Sequence, residues 1–308
     1  MAARGREAVI EVEGRSLKLS NLDKVLYPAT GFTKAEVLDY YARVAPVLLD
    51  HLGDRALTLR RFPDGVDGGS FYEKNCPRHR PEWVGVHRVG VESGGEGEAI
   101  DFCRIDSLAA LTWVANLAAL ELHTSMARAV DADAPTMVVF DLDPGAPATV
   151  LDCAEVARTI RAVLGEQGLE VLVKTSGSKG LQVYLPLNVP TTYARSAGFA
   201  KHLAQLLERQ LPSQVVSQQR KELRRGKVLI DWSQNARHKT TVCVYSLRAR
   251  ERPTASTPVT WGEVDAALAA SDPELLTFEA PLVLERIEAM GDLFAPANHL
   301  AQELPALG

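Results

Sequence analysis

The sequence predicts an α/β protein: one catalytic body preceded by a smaller N-terminal subdomain. Three observations carry this reading. From residue 136 onward, apolar runs of strand length alternate with longer stretches of helical periodicity. A capping-box spacing, Thr33 to Glu36, opens an amphipathic helix in the first part of the chain. No internal repeat and no clean linker divides the 308 residues. They read as a single module, with about 1–130 as the N-terminal subdomain, about 131–290 as the catalytic sheet and about 291–308 as an acidic tail.

In chain order, residues 8–13 (AVIEVE) and 16–19 read as a short strand or hairpin entry. LDKVLYPATGFTK is a loop broken by Pro28 and Gly31. The helix that Thr33 opens runs to about Leu52, with Val37, Leu38, Tyr41, Val44, Leu48 and Leu49 on its apolar face. ALTLRRF (56–62) alternates as a strand before the turn PDGVDGGS. Residues 84–105 read as short strands around the glycine-rich loop SGGEGE, and Ser107 caps a helix reaching about Leu122. In the second half, the apolar strand TMVVF (136–140) ends in DLDPG, and helix 148–164 is stopped by Gly165 and Gly168. Strand 169–175 (LEVLVKT) turns through SGSKG into strand 181–187 (LQVYLPL). A helix over about 191–210, strands 227–231 (KVLID) and 240–247 (TTVCVYSL), and an acidic helical tail complete the chain.

Hydrophobic residues make up 46% and charged residues 24%, which suits a soluble globular protein with a sizeable core and excludes a disordered, collagen-like or disulfide-scaffold chain. The longest largely apolar stretch, Leu108 to Leu120, is interrupted by Thr112 and Asn116 and is too short to span a bilayer. The N-terminus has basic residues with no apolar core behind them, so no signal peptide is expected. Cys76, Cys103, Cys153 and Cys243 lie far apart with no CxxC pair, and reduced thiols in a cytoplasmic protein are expected. Net charge is −5, yet its distribution is uneven. Val215 to Arg252 carries ten Lys or Arg against three acids, while Gly262 to Gly308 carries nine acids and one Arg. A local basic surface can hold a polyanion whatever the global sum; otherwise it is a solvated face.

The sharpest chemical feature is Asp141-Leu142-Asp143 at the end of an apolar strand. Strand alternation sends residues i and i+2 to one face, where two unpaired carboxylates repel. A hard divalent cation resolves that conflict, because Mg²⁺ or Mn²⁺ takes oxygen ligands. The competing reading is an Asx-turn before Pro144-Gly145. Asp231, ending KVLI, is a third carboxylate in similar surroundings, or else one half of a structural ion pair. Three aspartates at two strand ends are the minimum for a pair of metals. Ser176-Gly177-Ser178-Lys179-Gly180 has the glycines, hydroxyls and charge to cradle phosphate, or is a plain hairpin turn. Arg237, Lys239 and Arg248 offer further cations. Cys76, His79 and His87 form the only other ligand-like cluster, and supply at most three ligands.

DLDPG, TSGSKG, KVLIDWSQN and TTVCVYSLRAR, in this order, resemble the polymerase domain of bacterial end-joining ligase D, within the archaeo-eukaryotic primase superfamily. NLDKVLYPATGFTKAEVLDYYARVAP, RRFPDGVDGGSFYEKNCP and NLAALELHT are similar to the same family, so the likeness runs from about residue 17 to 290. The resemblance implies a primase-polymerase fold of the α+β type, with a mixed or antiparallel catalytic sheet flanked by helices. It implies that Asp141, Asp143 and Asp231 are the catalytic, metal-binding carboxylates. It further implies nucleotide contacts from Arg60, where the family often has lysine, and from His123, Ser176, Gly177, Lys179, Gln234 and Arg248. Phe71 and Tyr72 match an aromatic pair on which base or sugar stacks; from their sequence alone they read as core. Asn21, Lys24 and Lys34 match a pocket for a DNA 5′-phosphate, and Lys34 would sit in the first helical turn, where N–H groups already favour an anion. Gln182 departs from the pattern, standing where many members carry histidine.

The function so implied is template-directed nucleotidyl transfer to DNA or RNA, filling gaps or ends in double-strand-break or gap repair. It implies two divalent cations (Mn²⁺ or Mg²⁺), ribo- or deoxynucleoside triphosphates as substrates with a ribonucleotide preference, and recognition of gapped or broken duplex DNA with a 5′-phosphate. A DNA-end-binding protein and a ligase are implied partners, for a monomer of the cytoplasm associated with the nucleoid. Two rivals remain, a de novo primase and a non-catalytic DNA end-binding module; a DxD sugar-nucleotide transferase leaves the basic 215–252 segment unexplained.

Overall fold

A computed structural model describes residues 6–91 and 98–305, so the SGGEGE loop lies outside the described residues except for its last glutamate. The chain divides into two compact units, each assembled from separated segments. The first takes residues 1–124, 245–255 and 279–291, and the second takes 125–244, 256–278 and 292–308.

In the first unit, β1 (Ala8–Val12) and β2 (Arg15–Leu19) form an antiparallel hairpin. A smaller hairpin of β3 (Val25–Tyr27) and β4 (Phe32–Thr33) leads into α1 (Lys34–Leu52). The capping box is made as the spacing predicts: Thr33 Oγ1 accepts from Glu36 N at 3.3 Å, and Glu36 Oε2 accepts from Thr33 N at 2.7 Å. The buried face of α1 anchors distant chain through its tyrosines. Tyr40 Oη donates to the carbonyl of Tyr245 (2.7 Å), and Tyr41 Oη donates to that of Leu120 (2.6 Å). β5 (Arg55–Arg61), β6 (Phe71–Glu73), β7 (Val86–Gly90), β8 (Ala99–Cys103), α2 (Leu108–Asn116) and β9 (Ala119–Arg128) follow, with β5 between β6 and β9.

Two expectations are corrected here. The helix capped by Ser107 ends at Asn116 rather than near Leu122. Ala118 turns the chain at φ 58°, and its carbonyl accepts from Phe62 N (2.8 Å), so residues 119–123 join a sheet. The cysteines are not all reduced either. Cys76 N donates to the carbonyl of Asp101 (2.7 Å), which lays the segment after β6 along β8, and Cys76 and Cys103 form a disulfide. Their separation of 27 residues in sequence concealed that proximity. Cys153 and Cys243 are free and buried.

The second unit is built on a six-stranded sheet. Its strands are β10 (Met137–Pro144), β11 (Leu172–Thr175), β12 (Leu181–Pro186), β13 (Val215–Val216), β14 (Val228–Asp231) and β16 (Pro258–Val259), with β15 (Thr241–Val242) nearby in sequence. The order is β13-β14-β10-β12-β11-β16, and only β13–β14 is parallel, which makes the sheet mixed and mainly antiparallel as expected. Helices α3 (Val150–Gly165) and α4 (Tyr193–Gln210) pack on β10, whose Met137–Phe140 run is wholly buried. The strand expected over 240–247 shrinks to β15, since Tyr245 adopts a left-handed φ of 63°. After α5 (Trp261–Ala270), α6 (Ala280–Met290) returns to the first unit.

Candidate active site

The aspartates of β10 and β14 share one place through register. Asp141 lies directly opposite Asp231 on the antiparallel β14, and Asp143 follows Asp141 by one strand period. Burial first, then the charges of Asp143 and Asp231, push the Asp141 carboxyl up to about 7, against the opposing hydrogen bond from Gln182 and the charge of Lys174. Gln182 Nε2 donates to Asp141 Oδ1 at 3.0 Å. Asp231 is held by its own turn: Ser233 N (3.1 Å) and Ser233 Oγ (2.6 Å) donate to Oδ1, and Gln234 Nε2 donates to Oδ2 (2.8 Å). Asn235 fastens that turn by imitating a neighbouring strand. Its Oδ1 accepts from Val139 N (2.8 Å), and its Nδ2 donates to Val139 O (2.7 Å).

Three carboxylates with no thiol or imidazole among them suit a hard divalent cation. Among the described residues no group of three or more His, Cys, Asp or Glu side chains is gathered as a ready metal cage. Asp231 keeps an acceptor site on Oδ2 beside its turn contacts, since among the described residues only Gln234 donates there.

The SGSKG turn is set against the same strand. A Cβ on Gly180 would meet the Leu142 carbonyl oxygen at 1.9 Å, so only glycine allows this approach between Asp141 and Asp143. Ser176 Oγ accepts from Ser178 N and Gly180 N (both 3.2 Å), Gly177 takes φ 66°, and Lys179 is exposed. Gly145 likewise permits the basic segment to close on DLDPG, since its Cβ would fall 1.9 Å from Arg224 O. Arg237 is ion-paired with Asp133.

In the first unit, three of the expected nucleotide contacts surround one residue that the sequence pattern does not single out, Glu121. Glu121, 1% exposed, accepts from His123 Nε2 (2.9 Å) and Arg60 Nη1 (3.3 Å) on Oε2, and from Arg248 Nε (3.2 Å) and Ala249 N (3.1 Å) on Oε1. Burial alone would raise its pKa, but the His123 hydrogen bond and the Arg248 charge hold it well below the usual carboxylate range. Burial pushes the His123 imidazole down, and Glu121 opposes that. The Tyr72 ring meets His123 edge-on at 5.7 Å and lies under the Arg60 guanidinium at 5.2 Å. Phe71 lies under Arg61 in the same way, at 5.2 Å. Phe71 and Tyr72 are 45% and 60% exposed, a surface platform rather than the core their sequence suggests. His123 sits inside β9, not at a helix end. Had residues 119–123 been read as a strand, the i, i+2 spacing of Glu121 and His123 would have put both on one face.

The β3–β4 hairpin closes the ten-residue gap between Lys24 and Lys34, with Val25 opposite Thr33. Lys34 is the first residue of α1 and is buried, donating to Ser20 O (2.6 Å). Burial, then the charges of Lys24 and Arg61, push its pKa down to about 8. Lys24 pairs with Asp64 at 2.8 Å, and Asn21, at φ 54°, accepts from Lys24 N. Cys76, His79 and His87 make no site: Cys76 is in the disulfide, His79 meets the Trp113 ring edge-on, and His87 Nε2 faces Gly53 O.

The family model described as "LigD, primase-polymerase domain" matches residues 33–294. The chain belongs to the LigD primase-polymerase domain family. Among curated members of that family, it is 42% identical to the multifunctional non-homologous end joining protein LigD of Mycolicibacterium smegmatis over 92% of its own length. It is 44% identical to the multifunctional non-homologous end joining DNA repair protein LigD of Mycobacterium tuberculosis over 89%. The chain spans 36% of the length of either relative. A solved structure, the polymerase domain from Mycobacterium tuberculosis ligase D in complex with DNA, superposes with a TM-score of 0.84 at 41% identity, covering 93% of this chain and 99% of that one. The primase-polymerase fold expected of the LigD family is therefore the fold of this chain. No described helix is long and apolar enough to cross a membrane.

Proposed function

We propose that the chain is a template-directed nucleotidyltransferase that fills gaps or ends in non-homologous end joining. The observation that carries this is the carboxylate trio: Asp141 opposite Asp231 and in step with Asp143, its proton affinity raised by burial and then by those two neighbours. A pure binding module has no need to converge three acids. A relative solved with DNA supports a nucleic-acid substrate. Bound Mn²⁺ or Mg²⁺ supplies activation of the primer 3′-hydroxyl and stabilisation of leaving pyrophosphate.

The chain's own residues do the rest, each from the unit that carries it. Asp141, Asp143 and Asp231 hold the cations. Ser176, Gly177, Lys179 and Gln234 bind phosphates from the second unit. Arg60, His123 and Arg248, fixed by Glu121, contact the nucleotide from the first, and the exposed faces of Phe71 and Tyr72 stack base or sugar. Asn21, Lys24 and Lys34 hold the 5′-phosphate of the downstream strand, a reading supported by the depressed pKa of a buried lysine beside two further cations. A preference for ribonucleotides, an end-binding protein and a ligase as partners, a monomeric state and a place at the nucleoid in the cytoplasm complete the proposal.

Primer extension on a 5′-phosphorylated gapped duplex with Mn²⁺, comparing ribo- and deoxynucleotides, tests it. Ribonucleotide addition that stops near gap closure is expected, and Asp143→Ala should abolish it while DNA binding persists. Wild-type extension by that variant sinks the assignment. Dinucleotide synthesis on unprimed single strands would instead mark a primase, and gap binding without incorporation an end-binding module.

A further inference from the structure

Asp231, Asp141, Gln182 and Lys174 lie directly opposite one another on the adjacent strands β14, β10, β12 and β11. Cross-strand neighbours point to the same face, so a polar row runs across an otherwise apolar sheet. Lys174 is 1% exposed, and a lysine so buried is rare unless its charge is met. Its Nζ donates to Gln182 Oε1 (2.5 Å), Val242 O (3.1 Å) and Ser256 Oγ (2.6 Å). The Ser256 hydroxyl spends its own proton on Thr175 O (2.8 Å), so it faces the lysine as an acceptor. These three acceptors around Nζ suit the three protons of an ammonium.

That charge orients Gln182. Oε1 faces the ammonium and also accepts from Tyr184 Oη (3.4 Å), which leaves Nε2 to donate to Asp141 Oδ1 (3.0 Å). A reversed amide would put N–H against N–H⁺ on one side and oxygen against carboxylate on the other. Among the described residues Asp141 Oδ2 accepts no hydrogen bond.

We infer that Lys174 is a positioning residue for Asp141, acting through Gln182: the ammonium fixes the amide, and the amide ties down Oδ1 so that Oδ2 is the oxygen presented to a divalent cation. This rests on the reading of Asp141 as a metal ligand. The amide at 182 is then a working substitute for the family's histidine, since a neutral imidazole also accepts at one nitrogen and donates at the other.

Mn²⁺ binding to the full chain, read from the loss of the free-ion EPR signal, tests this without any turnover. Outer partners of metal ligands typically change affinity 10- to 100-fold. Lys174→Met and Gln182→Met should each weaken Mn²⁺ about 10-fold or more, while Gln182→His stays within about threefold of wild type. The double variant should bind no worse than Gln182→Met, because the lysine acts through the amide. Unchanged affinity in Lys174→Met overturns the proposal, and so do additive losses in the double variant. A lysine that only supports the fold would lower the melting temperature and leave the affinity of the folded protein intact. Should Lys174→Met fail to fold, Gln182→Met decides alone, and wild-type affinity in it refutes the relay. Equal Mn²⁺ affinity in wild type and Asp141→Asn would remove the metal reading itself, an outcome visible without the Lys174 variants.

Discussion

Replacing Glu121 by glutamine keeps the shape of the first unit's charge cluster and removes its anion. Four donors converge on this carboxylate, which is 1% exposed. A glutamine can accept at one end only, so its amide N–H₂ would face either the Arg60 and His123 donors or those of Arg248 and Ala249. Breaking a fully buried pair costs about 3–5 kcal/mol. Here the partners retain some water contact, with side-chain exposures of 29% for Arg60, 17% for Arg248 and 11% for His123. That screening lowers the expected loss for Glu121→Gln to about 2–4 kcal/mol. Urea unfolding at neutral pH measures it. Histidine titration followed by NMR supplies an independent check. Glu121 is what supports the His123 proton against burial and two arginines, so the already depressed His123 pKa should fall further in the variant. A loss under about 0.5 kcal/mol together with an unmoved His123 titration would refute the view that Glu121 organises the cluster.

Three further outcomes are expected. Asp141→Asn removes a carboxyl whose folded pKa, about 7, lies above its ordinary 3.8. The fold is penalised increasingly as pH rises through that window, so above neutrality the variant should be about 2–4 kcal/mol more stable than wild type in metal-free buffer, while primer extension is lost. Lys34 shifts the opposite way on the scale, from 10.5 down to about 8. Between those values the unfolded chain holds a proton that the folded one has released, so its contribution to stability grows as pH rises from 8 to 10.5. Lys34→Met should flatten that rise and erase the preference for 5′-phosphate over 5′-hydroxyl gaps, which equilibrium binding checks. Cys76→Ser opens a loop closed across 27 residues of sequence and should cost about 3–4 kcal/mol in non-reducing thermal melts. Four titratable thiols in denatured protein purified without reductant would contradict the disulfide.

The second unit was largely legible because its elements announce themselves locally. An apolar run stopping at DLDPG, a helix bounded by Thr149 and Gly165, and a hairpin through SGSKG each depend on a few neighbouring residues. Strand alternation joined Asp141 to Asp143, whereas the place of Asp231 opposite Asp141 is a register between strands far apart in the sequence. What escaped was set by partners far away in sequence. Nothing near residue 118 says that its carbonyl will serve Phe62 and end a helix, and that error hid Glu121 by misjudging which residues share a face with His123. Lys174 escaped for a related reason: read alone it is one charge in an apolar strand, and its role appears only once β12 and β10 lie beside it. The Cys76–Cys103 bond depended on how the segment after β6 docks on β8. Phe71 and Tyr72 were misread as core because hydrophobicity alone does not reveal that a three-residue strand carries them at the end of a sheet.

The segmented make-up of the two units bears on how the protein emerges from a ribosome. The polypeptide passes from one unit to the other at residues 124, 244, 255, 278 and 291. By the time Val244 is added, the translation machinery has delivered nearly all of the N-terminal unit and five strands of the six-stranded sheet, yet neither is complete. Tyr40 still lacks the Tyr245 carbonyl, Leu122 N lacks the Ser246 hydroxyl, and Glu121 lacks Arg248. A nascent chain paused there carries a buried glutamate without one of its cations. Both units therefore wait for residues beyond 244, and a chain cut short before Arg248 would leave Glu121, laid down more than a hundred residues earlier, without one of its cations.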